Sequence, residues 1–255
     1  MLDDSHPLFN VRYPRSNGYD PEWVHQNQMG PHCLWLLEAL SDVMPIDAGS
    51  RVLDLGCGRA MTSIFLAKEF GARVWATDLW IEAGDNARRL EDAGVDDAVT
   101  AVHAEAHQLP FEPGFFDAIV SIDAYHYFGT DDLYIGYVAP FLRPGGRIGI
   151  VVPGRLDEPG PDVPPGLEAY WDWEFCTFHG PLWWRRHWEK TGRVHVDVAD
   201  IVPDGWQDWL AFDEATVDRL DGWRKDAAAR SIAMLQADRG RALGFTRVVA
   251  SNPGA

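Results

Sequence analysis

Apolar positions along the chain alternate between two rhythms. Residues 51–56, 73–78, 99–104, 116–122 and 147–152 are short apolar runs rich in β-branched side chains, and each reads as a strand. Between them, 62–70, 81–93 and 131–142 repeat apolar positions at helical spacing. These helices stop at Gly71, at Gly94 and before Pro144-Gly145-Gly146. Further on, 182–191 reads as a helix ended by Gly192. Residues 194–199 read as a sixth strand, 213–239 as one long helix and 244–250 as a last strand. Residues 153–166 are rich in proline and glycine and read as a loop, and a helix is expected near Pro21 or Pro31. Strands alternating with helices predict βαβ units and a parallel sheet covered on both faces.

Composition narrows the class. The chain has 255 residues, of which 46% are hydrophobic and 24% charged, which suits a single globular domain. It has no apolar run long enough for a membrane span and no basic-then-apolar leader at its start, and Cys33, Cys57 and Cys176 are scattered. A reducing cytoplasm is the expected setting. The net charge of −17 argues against nucleic acid and against anionic membranes as partners. The nine histidines show no ligand-pair spacing, so no metal site is expected, and the oligomeric state stays open.

The most informative stretch is Asp54-Leu55-Gly56-Cys57-Gly58-Arg59-Ala60, which closes the first strand. Glycines there let the backbone turn tightly beside a ligand, and the next helix offers free N–H groups to an anion. A carboxylate at Asp54 would repel a pyrophosphate. It suits instead a ligand with an ammonium group, such as the methionine part of S-adenosylmethionine. Asp78 closes the second strand 20 residues after Gly58, where an acidic residue can accept ribose hydroxyls. Glu105-Ala106-His107-Gln108-Leu109-Pro110-Phe111 follows, then Phe116-Asp117, a strand ending at Asp123, and Leu142-Arg143-Pro144-Gly145-Gly146.

These elements, in this order, resemble class I S-adenosylmethionine-dependent methyltransferases of the small-molecule type, strongly over 35–152 and weakly elsewhere. The resemblance implies a Rossmann-like, seven-stranded, mostly parallel α/β sheet with helices on both faces and an antiparallel last strand. It implies S-adenosyl-L-methionine as cofactor and S-adenosyl-L-homocysteine as product. Asp54, Gly56, Cys57 and Gly58 would meet the methionine portion, Asp78 the ribose, Leu79 or Trp80 the adenine face, and Glu105 with Ala106 the adenine edge. Ser121 to Asp123 would line the transfer site. The chain departs from the family's usual pattern at Ala60, where a third glycine is common, and at Glu105, where aspartate is usual.

On the acceptor side, Asp123 is the leading candidate base and His126 the second. The alternatives are a helix cap for Asp123 and a packed ring for His126. Tyr125 and Tyr127 would line the pocket or pack the next helix. Eight of the twelve tryptophans follow residue 170. They read either as an aromatic acceptor pocket, with Trp183 and His179 facing it, or as the core of a cap. Residues 13–19 would close over the cofactor as a lid, bringing Arg15 or Tyr19 to the ligand, or dock as a tail. The expected organisation is one domain over 1–255. It comprises a lid segment (1–34), a cofactor half (35–152), an aromatic-rich cap with the sixth strand (153–210), and a closing helix and strand (211–255). The expected reaction is methyl transfer to a small acceptor, an amine or aromatic compound being favoured, by in-line displacement. The alternatives are other chemistry on the same cofactor, such as cyclisation of its side chain, and a non-catalytic cofactor-binding module.

Overall fold

The computed structural model of the chain describes residues 2–156 and 162–254. Seven strands form one sheet: β1 (Arg51–Leu55), β2 (Arg73–Asp78), β3 (Val99–His103), β4 (Phe116–Ile122), β5 (Leu142–Arg155), β6 (His195–Ile201) and β7 (Leu243–Ser251). Their spatial order is β3-β2-β1-β4-β5-β7-β6. The first five pair in parallel, and β7 runs antiparallel to both β5 and β6. The helices are α1 (Pro21–Asn27), α2 (Cys33–Ser41), α3 (Met61–Phe70), α4 (Ala83–Ala93), α5 (Tyr134–Val138), α6 (Pro181–Glu189), α7 (Gly205–Thr216) and α8 (Gly222–Asp238).

Alternation along each strand divides the core between the two faces of the sheet. Val52, Val74, Val120, Val151 and Val249 pack toward α2, α3, α7 and α8, with Leu37, Phe65, Phe212 and Leu235. Leu53, Leu55, Ile119, Ile150 and Val248 face the other way, onto Tyr134, Val138, Trp184 and Trp188. Trp184 and Trp188 of α6 are fully buried, so α6 is a structural layer on the sheet. Asp54 shares the face of Val52, which turns its carboxylate toward α3.

Four expectations about elements are corrected. The long helix expected over 213–239 is two helices. Residues 217–219 form a 3₁₀ turn, Asp221 is extended, and Gly222 takes φ +51° to start α8. The helix expected over 131–142 is cut to α5 followed by a 3₁₀ turn through Pro140, which has no N–H for the ladder. β5 runs well past 147–152 because β7 pairs with it from Arg147 to Arg155. Of the expected loop 153–166, residues 157–161 lie outside the described residues. The one helix expected near Pro21 or Pro31 is two: α1 starts at Pro21 under an Asp20 cap, and α2 starts after Pro31 with His32 as its cap.

Candidate active site

A cavity of about 360 Å³ opens at the carboxyl ends of β1, β2 and β4, where open α/β sheets bind ligands. Its floor is the turn after β1. Gly56, Gly58 and Ala60 all take positive φ, at +78°, +53° and +59°. Asn86 on α4 holds the turn by donating to the Gly58 carbonyl at 2.9 Å. Cys57 lines the wall, its thiol pushed well up, first by burial.

Asp78 ties the second strand to this turn. Its Oδ2 accepts the Gly58 amide at 2.8 Å, and its Oδ1 accepts the amides of Trp80 at 2.7 Å and Ile81 at 3.0 Å. Three of its roughly four lone-pair sites are thus taken, and Oδ2 keeps one for a ligand hydroxyl. Leu79 and Trp80 are exposed at the rim. Glu105 and Ala106 line the opposite wall. Glu105 turns back on His107, accepting its amide at 2.9 Å and meeting its Nδ1 at 2.9 Å.

Asp54 is buried behind the wall. Its Oδ2 accepts the hydroxyls of Thr62 and Ser63, both at 2.6 Å, and its Oδ1 has no partner among the described residues. Burial pushes the carboxyl up to about 6, against the pull of the two hydroxyls. A buried orphan acceptor beside a glycine turn fits a ligand ammonium, reached directly or through water. Arg59, which the sequence reading passed over, supplies the opposite charge. It lines the cavity and donates from Nη1 to the Gln26 carbonyl, and its Nε is buried without a partner among the described residues. The donor set therefore fits an amino acid end plus a ribose and a flat base.

Asp123 sits at the end of β4 in the left-handed region, φ +54°, with its amide on the Val151 carbonyl at 2.8 Å. It faces the cavity, and its apolar surroundings push its carboxyl up to about 8, with Asp213 adding to the shift. Met29, Gly30 and Pro31, between α1 and α2, line the site as a strap; they fall in the expected lid segment 1–34, but the sequence singled out 13–19 instead. On the strap's far side lies a second cavity of about 320 Å³, between α7, α8 and residues 172–175.

Seven other expected site residues stand away from the cavities. Residues 125–127 form a 3₁₀ turn, which points successive side chains about 120° apart. Tyr127 reaches the mouth beside Trp80, whereas Tyr125 is fully buried against Tyr134, Trp184 and Trp188. His126 is buried against Phe178, and burial pushes it down to about 3, leaving a neutral ring off the wall. Ser121 is fully buried, its hydroxyl donating to the Leu55 carbonyl at 2.7 Å. Tyr19 donates to Glu69 at 3.2 Å, and Arg15 donates to the Glu69 carbonyl at 3.0 Å and packs over Phe70. That is the far end of α3 from the cavity, about 12 Å along the helix. His179 and Trp183 stack at 3.5 Å between centroids and continue onto His187, outside both cavities.

Residues 52–146 match the methyltransferase domain family. Over 211 residues the chain is 34% identical to the erythromycin 3''-O-methyltransferase of Saccharopolyspora erythraea, covering 74% of this chain and 68% of that protein. The chain belongs to the class I S-adenosylmethionine-dependent methyltransferases. It is also 33% identical over 172 residues to methyltransferase GfsG of Streptomyces halstedii. That match covers 66% of this chain but only 58% of the relative's length. The fold resembles that of a Haemonchus contortus phosphoethanolamine N-methyltransferase in complex with S-adenosyl-L-methionine. The TM-score is 0.73 at 18% identity, covering 96% of this chain and 59% of that one. The family's seven-stranded order and antiparallel β7 are those of this sheet. Among the described residues, no group of three or more His, Cys, Asp or Glu is placed to hold a metal ion, and no helix is long and apolar enough to cross a membrane.

Proposed function

We propose that this protein binds S-adenosylmethionine in the first cavity and transfers its methyl group to a small-molecule acceptor held beside Asp123. When bound, the cofactor supplies an electrophilic methyl on a sulfonium. The chain's own residues bind and orient. Asp78 accepts a ribose hydroxyl at its remaining lone pair while keeping the glycine turn closed. Asp54 and Arg59 take the ammonium and carboxylate of the methionine part, with Gly56 and Gly58 leaving room for it. Glu105 and Ala106 bound the adenine edge, and Leu79 and Trp80 offer it an apolar face.

One observation carries this reading. A single cavity at the switch point of the sheet is lined by the glycine turn, Asp78, Glu105 and Asp123 together. The reaction itself asks for alignment and a dry path more than for charge. Asp123, held high by burial, exchanges a proton near neutral pH and can take one from an acceptor. An amine or aromatic acceptor remains the favoured class. Titration calorimetry with S-adenosylhomocysteine tests the cofactor half. Micromolar binding supports it, and no binding by the folded protein overturns it.

A further inference from the structure

The second cavity contains a buried carboxylate that the cofactor reading does not use. Asp213 on α7 is 7% exposed and lines the cavity, and no cation pairs with it among the described residues. The Ser231 hydroxyl and the Trp209 indole favour its ionised form, and neither carries charge. The other charges of this cavity are spoken for or peripheral. Arg230 pairs with Asp172 at 3.0 Å and donates to the carbonyls of Tyr170 and Trp171. Arg224 donates to the Gln28 carbonyl at 2.8 Å, and Glu174 is exposed at the edge. The remaining wall is mostly apolar and aromatic, with Phe175, Trp209, Leu220, Trp223 and Met234, and Gln28 and Thr216 add neutral polar groups.

The two cavities share Met29, Gly30 and Pro31. Asp123 lies against Gly30 from the first side, and its carboxyl senses the charge of Asp213. A lone buried carboxylate among aromatic rings favours a ligand cation over a neutral group, because ionic hydrogen bonds and ring faces both reward it. A volume of about 320 Å³ suits a small organic molecule.

We propose that the second cavity is the acceptor site, and that it selects a small apolar molecule carrying a basic amine, whose ammonium pairs with Asp213 while its body packs on the aromatic wall. This rests on the cofactor reading of the first cavity, since it takes Asp123 as the point where acceptor and methyl meet. The amine is the handle for recognition, whichever atom receives the methyl.

Calorimetry with 2-phenylethylamine and its neutral counterpart 2-phenylethanol tests this, on protein with and without saturating S-adenosylhomocysteine. The amine is expected to bind at least about tenfold more tightly than the alcohol. Asp213→Asn is expected to remove that preference while leaving S-adenosylhomocysteine affinity unchanged, which also reports that the variant is folded. Asp213→Ser serves as the second variant under the same control. Equal affinities for the two probes overturn the proposal. So does an amine preference that survives both substitutions, or no binding of either probe to the solubility limit. Failure of S-adenosylhomocysteine to bind, with the amine preference intact, would instead remove the cofactor reading and leave a cation site.

Discussion

A methyl group placed on Gly30 would fall 2.4 Å from the Oδ2 of Asp123. The strap between α1 and α2 and the end of β4 thus touch through a glycine and a carboxylate 93 positions apart in sequence. The contact is with the far end of a side chain, so Gly30→Ala can be accommodated by rotating Asp123 rather than by moving backbone. The expected result is a melting temperature within about 4 °C of the wild type, with methyl transfer reduced at least about tenfold because the carboxylate has turned. A variant as active as the wild type would mean that Asp123 is not fixed by the strap.

Asp78 has two tasks that one substitution separates from none. Removing it leaves three amides without their acceptor and takes away the proposed ribose contact. Asp78→Ala is therefore expected to weaken S-adenosylhomocysteine by tenfold or more, about 1.4 kcal/mol. It should also cost about 1–3 kcal/mol of stability through the orphaned donors. Calorimetry and denaturant melts read the two effects independently. Loss of stability with unchanged affinity would make Asp78 purely a turn-holder.

Asp54 predicts the opposite sign for stability. Its charge is buried with one oxygen unpartnered and no cation pairing with it among the described residues. Replacing a buried charge by a neutral isostere relieves desolvation. Asp54→Asn should leave the melting temperature at pH 8 equal to or above that of the wild type, yet bind S-adenosylhomocysteine at least about tenfold more weakly. A stability loss at that pH would show that the carboxylate is held by more than Thr62 and Ser63.

The parts legible in the sequence are those encoded by neighbours in the chain. The strand runs, the glycine turn and Asp78 at the end of β2 each follow from local pattern, and together they carry the family resemblance. The proposed acceptor side is legible only at Asp123, which its place at the end of β4 marks. Gly30 and Asp213 come from distant segments, and nothing local distinguishes Asp213 from the other acids of a chain with 39 acidic residues. The sequence offers Tyr125 and Tyr127 alike as pocket residues and His126 as a second base. The phase of a 3₁₀ turn decides that Tyr127 alone of the three reaches the cavity. Trp184 and Trp188 of α6 illustrate the same limit: an aromatic pair at helical spacing is compatible with a pocket, but here it fills the core under the sheet.

Asp123 adopts a backbone conformation that separates its side chain's chemistry from its shape. Left-handed φ is tolerated by glycine and, less well, by asparagine and aspartate, whereas alanine pays about 1–2 kcal/mol there. Asp123→Gly and Asp123→Asn should keep near wild-type stability, and Asp123→Ala should lose roughly that amount in a denaturant melt. All three should lower methyl transfer, by about 10²- to 10⁴-fold if the carboxylate acts as a base. Full activity in Asp123→Asn would remove proton transfer from its role and leave it as a positioning contact.

The pH dependence of stability isolates Asp123 again. Its native carboxyl is raised to about 8, first by burial and then by Asp213. Between the ordinary carboxylate range and about 8, the native state therefore binds a proton that the unfolded chain does not. The stability this gives is complete at low pH and is lost as pH rises through about 8. Asp54 and Asp213, both raised to about 6, act in the same direction but finish their loss lower. Buried His32 and His126, pushed down to about 3, and His179, pushed down to about 4, act in the opposite direction, because their unfolded forms take up protons as pH falls below about 6.5. Below that point the two groups of residues oppose each other. From about 6.5 to 8.5 the Asp123 contribution is left nearly alone. The melting temperature of the ligand-free protein should fall across this window, and Asp123→Asn should flatten the fall. A flat wild-type profile, or a variant that falls in parallel with it, would mean that the Asp123 carboxyl ionises without cost and faces more water than its apolar setting implies.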